Sequence, residues 1–149
     1  MPAAKFFVDS NVLLYTRDRN LTDKVETALR WLREIVRRDI ACTNLQVLNE
    51  VTNVMLRKRQ DLSAASIFAE VDELSFLGTS SIDLQIVATA RTIRLKTSFS
   101  WWDCLLLASA VDLGCTHFLS EDLQNGQTIQ GLTIVDPFAH SPEQILLSR

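Results

Sequence analysis

Four acidic side chains, spread along the sequence, stand where a carboxylate is most useful for chemistry. Asp9 and Asp122 each follow a short apolar segment typical of a buried strand. Asp103 lies at the start of an apolar helix, and Glu50 borders the apolar stripe of another helix. Several carboxylates that meet at one place cannot all stay ionised without a cation. Oxygen ligands without a cluster of His or Cys favour Mg²⁺ or Mn²⁺. The four acids therefore indicate a site for a hard metal ion.

Each of these acids also has a purely structural explanation. Asp9 suits the N-cap of a following helical turn, and Asp103 completes a Ser-x-x-Asp capping box that Ser100 opens. Glu50 could lie on the flank of its helix with the carboxylate in water, and Asp122 falls in the polar loop SEDLQNGQ. The set of four, rather than any single member, favours a shared site.

The residues after Asp9 strengthen this interpretation at the first strand end. Ser10 and Asn11 follow Asp9 directly, and a carboxylate, a hydroxyl and an amide in a row exceed what one helix cap requires. Asn11 can also stabilise the turn through an Asx-type hydrogen bond. We expect Ser10 and Asn11 to fix the turn and to support the ligands around the metal.

Short apolar strands alternate with helices along the whole chain. Strands are expected at 5–9, 40–42, 117–120 and 132–136, with a further brief one at 80–83. Helices are expected at 11–16, 22–39, from a Thr43–Gln46 capping box to about Arg59, at 63–77, 84–96 and from Ser100 to Leu113. This alternation predicts an α/β fold in which helices cover both faces of a parallel sheet. Ligands of such sheets gather at the carboxyl ends of the strands.

Size and composition indicate a globular protein with one domain over residues 1–149. Hydrophobic residues make up 47% of the 149 residues and charged residues 22%. No apolar run approaches the ~20 residues that a membrane helix needs, and Lys5 followed by a strand is unlike a signal peptide. The three cysteines are widely spaced and the histidines are two, so neither a disulfide framework nor a zinc site is expected. A cytoplasmic protein with buried thiols is the prediction.

The charges are distributed unevenly, although the net charge is only −3. Eight basic and four acidic residues lie between Lys24 and Arg59, whereas six acidic residues and one basic residue follow Lys96. Two basic groups, Arg30/Arg33/Arg37 and Arg57/Lys58/Arg59, are candidates for contacts with phosphates. A solvated helix face explains the first group equally well, and the dipole at a helix C-terminus explains the second.

The segments VDSNVLLY, LQVLNE, SFSWWDCLLLASA and FLSEDLQNG, in this order, resemble the PIN domain family and specifically the VapC-type toxin ribonucleases. The resemblance covers essentially the whole chain and includes the last predicted strand, LTIVDPF. It implies a three-layer α/β/α fold with a five-stranded parallel sheet. It also implies an acidic metal site and endoribonuclease activity.

Carried over by position, the resemblance also implies roles for individual residues. Its acids are Asp9, Glu50, Asp103 and Asp122, of which Asp9 and Asp103 are the primary Mg²⁺ ligands. The accompanying polar residues are Ser100, which precedes the third acid, and Asn11, which follows the first. Ser10 stands where the family usually has Thr, a change that keeps the hydroxyl. No role is assigned to Trp101, Trp102 or Cys104.

For partners, the resemblance implies an RNA substrate, a small antitoxin protein and a homodimer. Three alternatives stay open: a housekeeping RNA-processing PIN nuclease, a PIN-fold module that binds RNA or protein without cutting, and a Mg²⁺-dependent phosphatase. A phosphatase would need a nucleophilic aspartate supported by a lysine near a late strand, and Lys96 is the last lysine in the sequence.

Overall fold

A computed structural model describes residues 3–147, and within this range strands and helices alternate as predicted. The strands are β1 (Phe6–Val8), β2 (Ala41–Cys42), β3 (His117–Leu119), β4 (Thr128–Ile129) and β5 (Leu132–Val135). The helices are α1 (Ser10–Thr16), α2 (Asp23–Arg37), α3 (Leu45–Lys58), α4 (Ala64–Leu74), α5 (Leu84–Lys96), α6 (Trp101–Asp112) and α7 (Pro142–Leu146), with a 3₁₀ turn at Ser75–Leu77.

The five strands form one sheet in the order β2-β1-β3-β5-β4. β1 lies between β2 and β3 and is parallel to both, and β3 is parallel to β5. Helices cover the two faces, which confirms the three-layer α/β/α fold. The central strands are buried on both faces, as the unbroken apolar runs predict. Consequently the residues that follow β1 and β3 emerge side by side at one edge of the core.

The sheet is mostly rather than entirely parallel, because its edge strand β4 runs antiparallel to β5. Gln130 and Gly131 connect the two strands, and both have positive φ, 50° and 82°. Two central residues with positive φ form the tight hairpin that matches the strand twist. β4 was not predicted, since its two residues carry too little hydrophobic pattern.

The brief strand predicted at 80–83 is wrong. This segment has no strand geometry and connects the 3₁₀ turn to α5, whose N-cap is Asp83. Asp83 accepts a hydrogen bond from the backbone N–H of Ile86 at 2.9 Å. The four residues contain one apolar side chain, Ile82, which is too little to place a strand in the core.

The capping box predicted at Thr43 and Gln46 is also wrong, because the N-cap of α3 is Asn44. The Asn44 side chain accepts from the N–H of Val47 at 3.0 Å. The hydroxyl of Thr43 instead donates to the carbonyl oxygen of Val8 at 3.0 Å. This bond ties the start of α3 to the end of β1, and so fixes the helix that carries Glu50 relative to Asp9.

The helices pack against one another in two groups. α1 packs on α2 and α3, and α5 packs on α6. α6 is nearly apolar and its residues 104–110 are all buried, as the sequence predicts for a central helix. Among residues 3–147, no helix combines the length and apolar character needed to cross a bilayer.

Candidate active site

Asp9 is a buried carboxylate at the carboxyl end of β1, with only 5% of its surface exposed. It is the N-cap of α1, and its Oδ1 accepts from the N–H of Ser10 at 2.7 Å. Its Oδ2 accepts from the hydroxyl of Ser120 at 2.8 Å and from the amide of Asn11 at 3.2 Å. The cap explains one oxygen only, so the structural and functional interpretations of Asp9 are compatible.

Ser120 belongs to this cluster, and sequence reasoning missed it. Its hydroxyl is fully buried, donates to Asp9 and accepts from the N–H of Asp122 at 3.2 Å. The sequence carries only part of the signal, a serine that ends an apolar strand just before two acids, and its pairing with Asp9 comes from the strand register. Because Val8 pairs with Leu119, the next residues, Asp9 and Ser120, must lie side by side. A serine that ends an apolar strand next to an acid was therefore a candidate.

The side chain of Asn11 connects the ends of β1 and β3. Its amide nitrogen lies 3.0 Å from Ser120 Oγ and 3.1 Å from Asp122 Oδ2, in addition to its contact with Asp9. Its Oδ1 accepts from the N–H of Glu121 at 3.3 Å. Asn11 thus holds the Asp9 and Asp122 carboxylates at a fixed separation. The role predicted for Asn11 in supporting metal ligands stays a prediction.

Glu121 anchors the loop that carries Asp122. One of its carboxylate oxygens accepts from the hydroxyl of Tyr15 at 2.9 Å, and the other pairs with Lys24 Nζ at 2.8 Å. Burial and the contact with Glu121 both raise the pKa of Tyr15, so the phenol stays protonated and continues to donate. Glu121 therefore has a positional role and Asp122, which is exposed, faces the cleft.

Glu50 and Asp103 approach the same cluster from two helices. Both are half-buried, and the charges of both act on Asp9 and raise its pKa. Glu50 Oε1 accepts from the amide of Gln46 at 3.2 Å. The backbone N–H of Asp103 donates to Ser100 Oγ at 3.1 Å, which makes Ser100 the N-cap of α6. The charges of Glu50 and Asp103 are thus close enough to act on Asp9. Ser100, by contrast, is seen here as the N-cap of α6.

The pKa of Asp9 reflects the burial of its carboxylate and the charges nearby. The pKa of Asp9 is raised from the ordinary 3.8 to about 7, chiefly by burial and in smaller part by the charges of Glu50 and Asp103. The hydrogen bonds from Ser120 and the Ser10 N–H act in the opposite direction. Asp9 is therefore a carboxylate whose charge is costly near neutral pH, and an adjacent cation would remove that cost.

The residues present fit a small hard cation. A buried carboxylate with two further carboxylates acting on it offers oxygen donors and an excess of negative charge, which is the donor set that Mg²⁺ and Mn²⁺ prefer. Within residues 3–147 no three acidic, His or Cys side chains are already close enough to share one ion. Glu50 and Asp103 act on Asp9 through their charges, so closing a shared coordination shell requires side-chain rotation from the two helices.

A groove of about 450 Å³ begins at the cluster and continues along α3. Asn11 and Asp122 line the groove together with three basic side chains, Arg17, Lys58 and Arg59. Its other walls are mixed in character: Leu14, Tyr15, Asp18, Val54, Met55 and Glu121. Arg59 pairs with Asp61 at 3.0 Å and also donates to the carbonyl oxygen of Arg17. Of the predicted basic clusters, the one at 57–59 therefore borders the site.

In the other predicted basic cluster, Arg30 and Arg37 form ion pairs with residues of α7 and α2. Arg30 pairs with Glu143 in α7, and Arg37 pairs with Glu34 one turn before it on α2. These ion pairs are exposed and fit a solvated helix face. They supply no observation in favour of phosphate contacts at Arg30 or Arg37.

The sequence model of the PIN domain matches residues 6–124, a range that contains all of the acids described above. The chain belongs to the PIN domain family. A search among curated proteins finds none that matches the sequence. The family assignment confirms the resemblance on which the site residues were carried over.

Solved structures with the same fold agree with this PIN assignment. A toxin–antitoxin complex from Klebsiella pneumoniae has a TM-score of 0.65 at 16% identity, covering 90% of this chain and 98% of that one. VapBC2 from Rickettsia felis, bound to a promoter DNA fragment, has a TM-score of 0.64 at 12% identity, covering 87% and 96%. VapC20 from Mycobacterium tuberculosis, a sarcin-ricin loop cleaving toxin, has a TM-score of 0.56 at 18% identity, covering 76% and 87%. At these identities the likeness concerns the fold.

Proposed function

We propose that this PIN domain protein is a Mg²⁺-dependent endoribonuclease and the toxin of a type II toxin–antitoxin pair. The observation that carries the nuclease proposal is the buried Asp9, which shares its surroundings with Glu50, Asp103 and Asp122 at the carboxyl ends of β1 and β3. A non-cleaving PIN module would have no need to keep a carboxylate whose pKa burial raises to about 7.

Each residue has a defined part in the proposed reaction. Asp9 and Asp103 would hold the ion, and Glu50 and Asp122 would complete its surroundings, partly through water, since Mg²⁺ keeps several of its waters. A bound Mg²⁺, or Mn²⁺ in its place, supplies Lewis-acid polarisation of the scissile phosphate and neutralises developing charge. Asn11 and Ser120 keep Asp9 and Asp122 in place, and Ser100 fixes the first turn of α6. No covalent protein nucleophile is required.

The substrate proposal follows from the charges around this site. Lys58, Arg59 and Arg17 place positive charge along the groove that begins at Asp122. A strand of RNA in this groove would meet these three basic side chains along its backbone, although Asp18 and Glu121 also line the groove. Positive charge along the groove, next to an acidic metal site, suits hydrolysis of an internal phosphodiester.

The toxin proposal follows from the structural neighbours. The Klebsiella and Rickettsia structures are described as a toxin–antitoxin complex and as VapBC2, and the Mycobacterium protein as a cleaving toxin. We therefore propose a small antitoxin as the partner, a homodimer as the assembled toxin, and the cytoplasm as its place of action.

The direct test is cleavage of RNA by the purified protein. Mg²⁺ or Mn²⁺ should support internal cuts in a mixed RNA substrate, EDTA should stop them, and added metal should restore them. Release of phosphate from small esters without RNA cleavage would favour a phosphatase instead. Equal cutting in EDTA would refute metal dependence.

A further inference from the structure

A second groove lies on the other part of α3, and the proposed chemistry leaves it unexplained. Its volume is about 550 Å³. Glu50 lies at its border, and its remaining walls include Leu45, Asn49, Asn53, Ile82 and Trp102. Because Glu50 belongs to the acid cluster, this groove opens directly beside the proposed metal site.

Trp102 is the feature of this groove that the fold does not require. Its side chain is 65% exposed, although burying an indole is among the most favourable contributions a side chain makes to a core. Trp31 shows the opposite behaviour, since it is fully buried and its Nε1 donates to the carbonyl oxygens of Pro137 and His140. Trp102 shares this groove with Glu50, one of the proposed metal ligands.

Apart from Glu50 and Ser81, the polar side chains of the groove are amides. Asn49 and Asn53 are one helical turn apart on α3, both are exposed, and both line the groove. An amide offers two N–H donors and a carbonyl acceptor. None of the residues that line this groove is basic, in contrast to the groove lined by Lys58 and Arg59. The groove offers no cation to attract a phosphate, whereas its amides match the donors and acceptors on the edge of a base.

We propose that this groove binds one unpaired base of the RNA substrate, stacked on Trp102 with its edge toward Asn49 and Asn53. This inference rests on the proposed ribonuclease function. Single-stranded nucleic acid is commonly held by base stacking on aromatic side chains together with a basic track for the backbone. The two grooves divide these tasks along α3, with the acids between the base and the rest of the strand.

The test compares cleavage of single-stranded RNA by wild type, Trp102→Ala, Trp102→Phe and Trp101→Ala in Mg²⁺. Loss of stacking at Trp102→Ala should raise KM by about 5- to 150-fold with kcat much less affected. Trp102→Phe should recover most of the loss, because a phenyl ring still stacks. Trp101→Ala is the matched control, since Trp101 is the adjacent exposed tryptophan and does not line the groove.

A second readout uses intrinsic fluorescence in EDTA, where no cleavage occurs. RNA should quench the tryptophan emission of Trp101→Ala but not of Trp102→Ala, because the tryptophans left in the latter are the buried Trp31 and Trp101, which does not line the groove. A fully paired RNA stem, whose bases stack on each other, should produce no quenching that depends on Trp102.

The outcomes that overturn the inference are distinct from those that overturn the function. If wild type cleaves RNA and Trp102→Ala matches Trp101→Ala in KM, the base site is wrong and the ribonuclease stands. If wild type neither cleaves nor binds RNA, both proposals fail. If Trp102→Ala leaves KM unchanged but changes the molar mass by light scattering, the groove is a surface between copies of the chain, and the base site is refuted.

Discussion

The two halves of the acid cluster are built differently. The strand-end half, composed of Asp9, Asn11, Ser120 and Asp122, is joined by hydrogen bonds of 2.8–3.2 Å between neighbouring strands and the loop after β3. The helix half, composed of Glu50 and Asp103, is half-buried and acts on Asp9 through charge. The difference indicates a site with one preorganised part and one part that adjusts when a cation arrives.

In the strand-end half, burial makes the ionised form of Asp9 unfavourable. Because Asp9 is buried among groups that cannot move away, its charge is relieved only by a proton or a cation. Glu50 and Asp103 are half-buried and keep partial contact with water. Groups with strongly shifted pKa values are common in active sites. Here the group with the shifted pKa, Asp9, lies at the end of one buried strand.

The largest expected effect comes from breaking the strand-end half at Asp9. Asp9→Asn preserves size and most hydrogen bonds but removes the charge that would hold the ion. The loss of a metal ligand is worth several kcal/mol of transition-state stabilisation, which corresponds to roughly a thousandfold decrease in kcat/KM for RNA. Asp112→Asn, at the exposed end of α6, is the control and should cut RNA normally. Cleavage by Asp9→Asn at the wild-type rate would remove Asp9 from the mechanism.

The second prediction concerns stability of the metal-free protein as pH changes. The unfolded chain releases the Asp9 proton near pH 3.8 and the folded protein near 7. The folded state therefore binds more protons in this window, and stability falls as pH rises through it. Asp9→Asn has no such proton, so its free energy of unfolding relative to wild type should rise by roughly 2–3 kcal/mol between pH 5 and pH 8. Urea unfolding in EDTA at both pH values measures it, and parallel pH profiles for the two proteins would contradict the burial of Asp9.

A third prediction compares one supporting side chain from each half. Ser120→Ala removes a buried hydroxyl that donates to Asp9 and accepts from the Asp122 N–H, so it should cost about 1–3 kcal/mol of stability. It should also raise the pKa of Asp9 further, because the Ser120 hydrogen bond lowers it. Gln46→Ala removes one hydrogen bond to a half-buried Glu50 and should cost about 0.5–1.5 kcal/mol. Equal costs in urea unfolding would mean that the two halves are not differently built.

The smallest effect is expected in the basic groove. Lys58→Ala should weaken RNA binding severalfold and reduce the slope of log affinity against log salt by about 1, since one phosphate contact is lost. Arg37→Ala is the matched control, because Arg37 pairs with Glu34 on α2 away from the groove. Fluorescence anisotropy over a range of salt concentrations separates them. Identical slopes for both variants would remove the groove at Lys58 from RNA binding.

The sequence predicts most of this site because its signals are local and strong. Asp9 and Asp122 follow apolar strands, and Asp103 follows a serine cap, so each position is set by a neighbouring element. The helix at 84–96 is reproduced to the residue. These features depend on periodicity and caps, which are visible within a short window.

The features that were missed depend on contacts between distant segments. Ser120 is paired with Asp9 by the register of β1 and β3, which no short window contains. Thr43 donates to Val8 rather than to its own helix, because the end of β1 lies beside it in the fold. The edge strand β4 has two residues and exists through its pairing with β5. In each case, contacts between distant segments determine the structure, and local sequence propensity does not predict it.

Calorimetric titration with Mg²⁺ at pH 7, in two buffers of different ionisation enthalpy, tests the central claim most directly. If Asp9 binds the ion and its pKa is about 7, wild type should release roughly half a proton for each ion bound. Asp9→Asn should bind weakly and release almost none. Binding by wild type without proton release, or the same release by Asp9→Asn, would contradict a cation site centred on Asp9.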